Sequence, residues 1–173
     1  MPPEKPPQPK SGKVVHLPIC GMKEGKKFEF PEAHTISKSS HLLAERQVTC
    51  IQSNVGFAVY SFQMTFKDSQ TPQFGQDLMN LKQDLAADEL ICKVKVKATQ
   101  LRIAAIIFKT SKAREIQLLG TNQNGTWHKF KIAPEERLIG CRGFLSHNNN
   151  LVGIGFSIWT PETNKDSGSS GIK

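Results

Sequence analysis

Across the middle and end of this chain an apolar side chain returns at every second position. In residues 60–66 (YSFQMTF), aromatic and methionine side chains alternate with small or polar ones. Successive side chains of an extended strand point to opposite faces, so this spacing predicts a strand with one buried and one wet face. Lys93, Lys95 and Lys97 alternate with Val94 and Val96 in the same way, which sets three ammonium groups on the face opposite two valines. Cys92 falls in phase with those valines. Residues 101–108, 115–119, 128–132, 138–141 and 151–159 are further predicted strands. Turn formers separate them: Lys67-Asp-Ser, Thr110-Ser-Lys, Asn124-Gly125 and Asn148-Asn149-Asn150. The Asn124-Gly125-Thr126 sequon reads as the Asn-Gly of such a turn. A chain written this way builds its core from sheets, and the predicted fold class is all-β.

Two segments leave the choice open. Residues 76–90 (QDLMNLKQDLAADEL) place Leu78, Leu81 and Leu85 near helical spacing, and residues 39–46 suit either helix or strand. A short internal repeat favours sheets. Phe66-Lys-Asp-Ser followed by Gly75 is echoed by Phe108-Lys-Thr-Ser followed by Gly120. Strand–turn–strand units recurring in this way predict a body made of repeated sheets.

Composition bounds the function. At 173 residues the chain suits one domain with a single core. It has no apolar run long enough for a membrane-spanning helix, which needs about 20 residues. The first residues, MPPEKPPQPKSGK, lack the apolar segment of a secretory signal, so the expected compartment is the cytosol or a cytoskeletal or organellar assembly built from it. Cys20, Cys50, Cys92 and Cys141 form no Cys-x-x-Cys pair and read as buried free thiols, and the histidines show no ligand spacing; no metal and no cofactor is expected. Asp84, Asp88 and Glu89 are the acidic cluster of the central region and read as turn and surface residues. No nucleophile with a base beside it is evident, so the chain is not expected to be an enzyme.

The formal net charge is +8, and residues 1–27 carry six lysines against two glutamates. Residues 1–25 read as a Pro- and Lys-rich extended arm, with Lys5, Lys10 and Lys13 as contacts for an acidic partner. Lys93, Lys95 and Lys97, with Arg102 close along the chain, form a second candidate cationic surface. A lysine-rich, arginine-poor chain without exposed aromatics interleaved among the lysines is a poor nucleic-acid binder. Residues 161–173 read as a polar tail.

Residues 59–75 (VYSFQMTFKDSQTPQFG), 88–96 (DELICKVKV), 103–120 (IAAIIFKTSKAREIQLLG) and 138–156 resemble, in order and spacing, the jacalin-related lectin domain. The resemblance spans residues 26–160. It implies a β-prism, three four-stranded Greek-key sheets around a pseudo-threefold axis, and it implies a strand over residues 78–85. It also implies a sugar site at one prism end, built from an N-terminal glycine and a Gly-x-x-x-Asp loop. The carboxylate there accepts hydrogen bonds from neighbouring sugar hydroxyls, and its charge strengthens them. In residues 148–155 of this chain, Asn148 stands at the place of that glycine and Val152 at the place of the aspartate. Valine offers neither donor nor acceptor. Asn148, Asn149 and Asn150 are good turn formers and could also hydrogen-bond a ligand, and Gly25 is the nearest N-terminal glycine. These residues predict a non-catalytic module acting as a structural or adaptor subunit beside other, acidic protein subunits. The alternatives are an intracellular carbohydrate-binding lectin with a modified loop and a polyanion-binding module.

Overall fold

The computed structural model describes residues 11–31, 43–67, 71–75 and 79–162. Lys5, Lys10, Leu78 and the polar tail from residue 163 lie outside that range. Among the described residues thirteen strands follow one another: β1 (Gly12–His16), β2 (Cys20–Gly21), β3 (Lys26–Phe30), β4 (Val48–Val55), β5 (Val59–Phe66), β6 (Phe74–Gly75), β7 (Leu81–Asp84), β8 (Ile91–Ala98), β9 (Ile103–Thr110), β10 (Glu115–Leu119), β11 (Thr126–Lys131), β12 (Arg137–Leu145) and β13 (Leu151–Pro161).

They form three antiparallel sheets. The second is ordered β6-β5-β4-β7 and the third β10-β9-β8-β11. In each, a hairpin is followed by a third strand on one side and a fourth that crosses to the other, which is a Greek key. The first sheet repeats this order as β1-β13-β12-β3, with the chain termini falling between β13 and β1. Its edge is shared by two short strands. β1 pairs with Ser157–Pro161 and β2 with Gly153–Ile154, the break falling at Pro18, which has no N–H to give to a ladder. Residues 12–21, which the sequence places in the arm, thus close the first sheet.

The long hairpins β4–β5, β8–β9 and β12–β13 share a signature. Each slips register twice, between Val48 and Cys50, Ile91 and Lys93, and Leu138 and Gly140 at one end. At the other end the slips lie between Asn54 and Val55, Lys97 and Ala98, and Phe144 and Leu145. A bulge bends and twists its strand, and bulges at matched places curve all three sheets alike. The repeat ending in Gly75 and Gly120 belongs to this symmetry. Gly75 pairs with Ser61 near the start of β5, and the N–H of Gly120 donates to the Ala104 carbonyl (2.9 Å) near the start of β9. Gly21 takes the corresponding place against Gly153 in β13.

Inward-facing residues of the three sheets meet in one core. Phe62, Phe108 and Phe156 are fully buried, one from the second strand of each sheet. The rings of Phe62 and Phe108 stack at 5.8 Å, and Phe156 stands edge-on to both, at 6.0 and 5.6 Å. Edge-to-face and offset pairs add about 0.5–1.5 kcal/mol each beyond area burial.

Two local expectations need correction. Cys92 does not share the face of Val94 and Val96: the bulge between Ile91 and Lys93 puts Ile91 on the core side, and Cys92 is half-buried. Glu89 is not a surface residue but 1% exposed, although Asp88 beside it is solvent-facing. Within residues 79–90 the helical spacing yields to the sheet, since Leu81–Asp84 pairs with β4 as a strand.

Candidate ligand surfaces at the prism end and on the third sheet

The β12–β13 turn carries the asparagine triplet. Its backbone closes on itself: the Ser146 N–H donates to the Asn150 carbonyl (2.8 Å) and the Asn149 N–H to the Ser146 carbonyl (2.8 Å). Asn149 sits at a φ of 65°, a left-handed conformation that asparagine tolerates better than most residues. Its side-chain amide donates to the Gly75 carbonyl (3.3 Å) and so ties the turn to the second sheet. The Asn150 N–H donates to the Ser146 hydroxyl at 3.2 Å, while the Asn150 Oδ1 is buried without a hydrogen-bond partner.

Val152 is 8% exposed, and its carbonyl accepts from the Met22 N–H at 2.8 Å. Gly25 packs against the root of the same turn, where a Cβ would collide with the Leu145 carbonyl oxygen. Gly21, which sequence reasoning passed over, lies against Val152 itself: at a φ of +93°, its Cβ would strike the Val152 carbonyl oxygen. The signal for Gly21 was its order in the repeat, which becomes visible only once β2 is placed on β13.

The three hairpin tips converge at this end on an open depression of about 290 Å³, lined among others by Phe57, Tyr60, Arg102, Asn150 and Val152. The Arg102 guanidinium lies 4.9 Å from the centre of the Phe57 ring. Arg102 thus belongs to the prism end with Asn150 and Val152, and is separated from the lysines beside which it stands in the sequence.

Lys93, Lys95 and Lys97 do lie on one face, and the fold adds to them. β11 runs beside β8 with Lys131 opposite Lys93, Lys129 opposite Lys95 and Trp127 opposite Lys97. On the other side Lys109 of β9 stands opposite Lys93. Directly opposed residues of an antiparallel pair share a face, so the outer face of the third sheet carries six lysines and one tryptophan. The Lys95 and Lys97 ammoniums lie 5.7 and 5.5 Å from the centre of the Trp127 ring, and Trp127 is 37% exposed. The sequence-based statement that no exposed aromatic lies among the lysines is therefore corrected. Lys13, on β1 opposite Thr160, is exposed elsewhere, in the first sheet.

Among the described residues no three His, Cys, Asp or Glu side chains gather as metal ligands. Cys20, Cys50 and Cys141 are buried, and desolvation pushes the Cys20 thiol up to about 11, away from the reactive thiolate. Burial raises Cys50 and Cys141 as well. No helix among the described residues is long and apolar enough to cross a membrane.

Three Greek-key sheets around a pseudo-threefold axis, joined through the N- and C-terminal strands, define a β-prism. The chain belongs to the jacalin-like lectin domain family, whose model matches residues 17–157. Similar solved structures include the mannose-binding lectin from champedak, at 17% identity and a TM-score of 0.65 over 84% of this chain and 96% of that one. A Malaysian banana lectin matches at 14% identity and 0.66, covering 87% of this chain and 100% of that one. A lamprey immune protein matches at 20% identity and 0.65, over 84% of this chain and 44% of that one. At these identities the likeness is one of fold. A search of curated protein sequences finds no match.

Proposed function

We propose that this chain is a non-catalytic jacalin-like module that binds another protein, as an adaptor or structural subunit of a larger assembly. The observation that carries this reading is the state of the prism end. Val152 stands where the family resemblance expects a carboxylate, with its side chain buried and its carbonyl engaged by Met22. Asn149 and Asn150 spend backbone hydrogen bonds on closing the turn, and the Asn149 side-chain amide holds β6. A sugar hydroxyl loses the charge-assisted acceptor that would repay its desolvation. Basic surfaces elsewhere on the chain favour an acidic protein neighbour.

Titration with mannosides and galactosides up to millimolar concentration tests this, beside purification of the native protein with whatever accompanies it. No heat of sugar binding, together with a stoichiometric protein partner, is the expected result. Removing residues 1–10 leaves every described strand in place, so loss of the partner on that deletion would assign the arm to the interface.

A second reading, a carbohydrate-binding lectin with a rebuilt loop, is favoured by one feature. Asn150 and Arg102 line the same depression, and the Asn150 Oδ1, buried without a partner, could become an acceptor beside the guanidinium donor once the side chain rotates towards a polar ligand. Sugar binding that is lost in both Asn150→Ala and Arg102→Ala would establish it.

A further inference from the structure

We propose that the outer face of the third sheet is a docking surface for an acidic, extended polypeptide segment, an inference that rests on the protein-binding reading above. Lys109, Lys93 and Lys131 form one row across three strands and Lys95 and Lys129 a second, with Lys97 and Trp127 in the third. Among the described residues none of these lysines lies within salt-bridge distance of a carboxylate. Two carboxylates border the array. Glu115, across from Lys109, accepts from the Gln117 amide, and Glu136 accepts from the Ala133 N–H.

The fold uses only part of this array, packing Lys95 and Lys97 against Trp127 and setting Lys109 opposite Glu115. Like charges directly opposite one another across a ladder are destabilising, and here Lys93–Lys109, Lys93–Lys131 and Lys95–Lys129 are all such pairs. Lysines often guard an exposed sheet edge against foreign strands. That role suits β11, an edge, but β8 and β9 are interior strands and carry Lys93, Lys95, Lys97 and Lys109. A partner that brings negative charge accounts for all six.

The geometry selects the kind of partner. Along β8 the ammoniums repeat at every second residue, about 7 Å apart, the period at which an extended peptide presents successive side chains on one side. Carboxylates suit lysine, a point charge without the planar fork that reads phosphate in pairs. A single-stranded nucleic acid would want an open aromatic face for stacking, and the Trp127 ring already has two ammoniums over it. At one end of the array Lys93, Lys109 and Lys131 border a depression of about 490 Å³ that Cys92, Ile132, Pro134 and Glu136 also line, room for an apolar side chain within the segment.

The test measures fluorescence anisotropy of a labelled polyglutamate peptide with the full-length chain at rising salt. The unaltered protein should bind and release the peptide as salt screens the charges. Lys95→Gln/Lys129→Gln, which relieves a like-charge pair and so keeps the fold, should weaken binding about tenfold, and Lys95→Glu/Lys129→Glu further. Lys67→Glu/Lys82→Glu, an equal charge change on exposed lysines outside this face, should leave it within about threefold. Equal losses in the face and control variants, or none in the face variants, overturn the proposal. So does tighter binding of a thymidine oligonucleotide or of anionic lipid vesicles through the same lysines. Sugar bound at the asparagine turn would instead count against the protein-binding reading, and does not depend on these lysines.

Discussion

The guanidinium of Arg114 grips both carboxylate oxygens of Glu89, at 2.9 and 2.8 Å, and reaches the Asp84 carbonyl at 2.7 Å. It pins the crossover between β7 and β8, where the chain leaves the second sheet for the third. The Ala86 N–H donates to the same carboxylate at 2.9 Å. Held chiefly by Arg114 against the cost of burial, the Glu89 carboxyl lies at about 2 rather than 4.5. Its folded value is depressed, so the stabilisation is complete above about 4.5 and is lost as pH falls towards 2. Denaturant unfolding should show Glu89→Gln less stable by roughly 2–3 kcal/mol at pH 7. The gap should narrow steadily between pH 4.5 and 2. A pH-independent difference would mean that the charge of Glu89 is not what matters.

Asn149 separates turn formation from ligand binding. Asn149→Gly keeps the left-handed backbone but loses the bond to Gly75, and should cost well under 1 kcal/mol. Asn149→Ala loses both and should cost roughly 1–2 kcal/mol more. Melting temperatures of the two variants check the order; equal effects would exclude backbone conformation as the reason for asparagine here.

Removal of one ring from the axial trio opens a cavity that two rigid sheets cannot fill. Phe108→Ala should lose about 3–5 kcal/mol, as buried aromatic truncations do. Urea unfolding measures this, and a loss under 1 kcal/mol would show that the core collapses around the gap.

Gly21 has no room for a side chain. Gly21→Ala adds a Cβ in the path of the Val152 carbonyl at a positive φ, and should destabilise by roughly 1–3 kcal/mol while disturbing the β2 edge. Exchange of the Met22 amide, which donates to that carbonyl, should speed up measurably.

Much of the fold was legible. The alternation in residues 60–66 puts Phe62, Met64 and Phe66 in the core and leaves Gln63 and Thr65 half-exposed. Residues 115–119 are a strand at their predicted bounds. Where alternation failed, a bulge had shifted the phase, as at Cys92, or an ion pair had overridden polarity, as Arg114 does at Glu89. The N-terminal strands were hidden because short edge pieces interrupted by Pro18 carry no period of their own.

The sequence by itself determined that this chain folds as repeated sheets, because period-two side chains can bury one face in no other way. It also determined that the prism end lacks a carboxylate at Val152. Only the tertiary structure decided which charges stand together. The Greek-key crossover lays β11 against β8, so Lys129, Lys131 and Trp127 join lysines distant in sequence, while Arg102 turns away to the hairpin tips. Strand pairing joins residues by ladder register, and no spacing along a single strand encodes that.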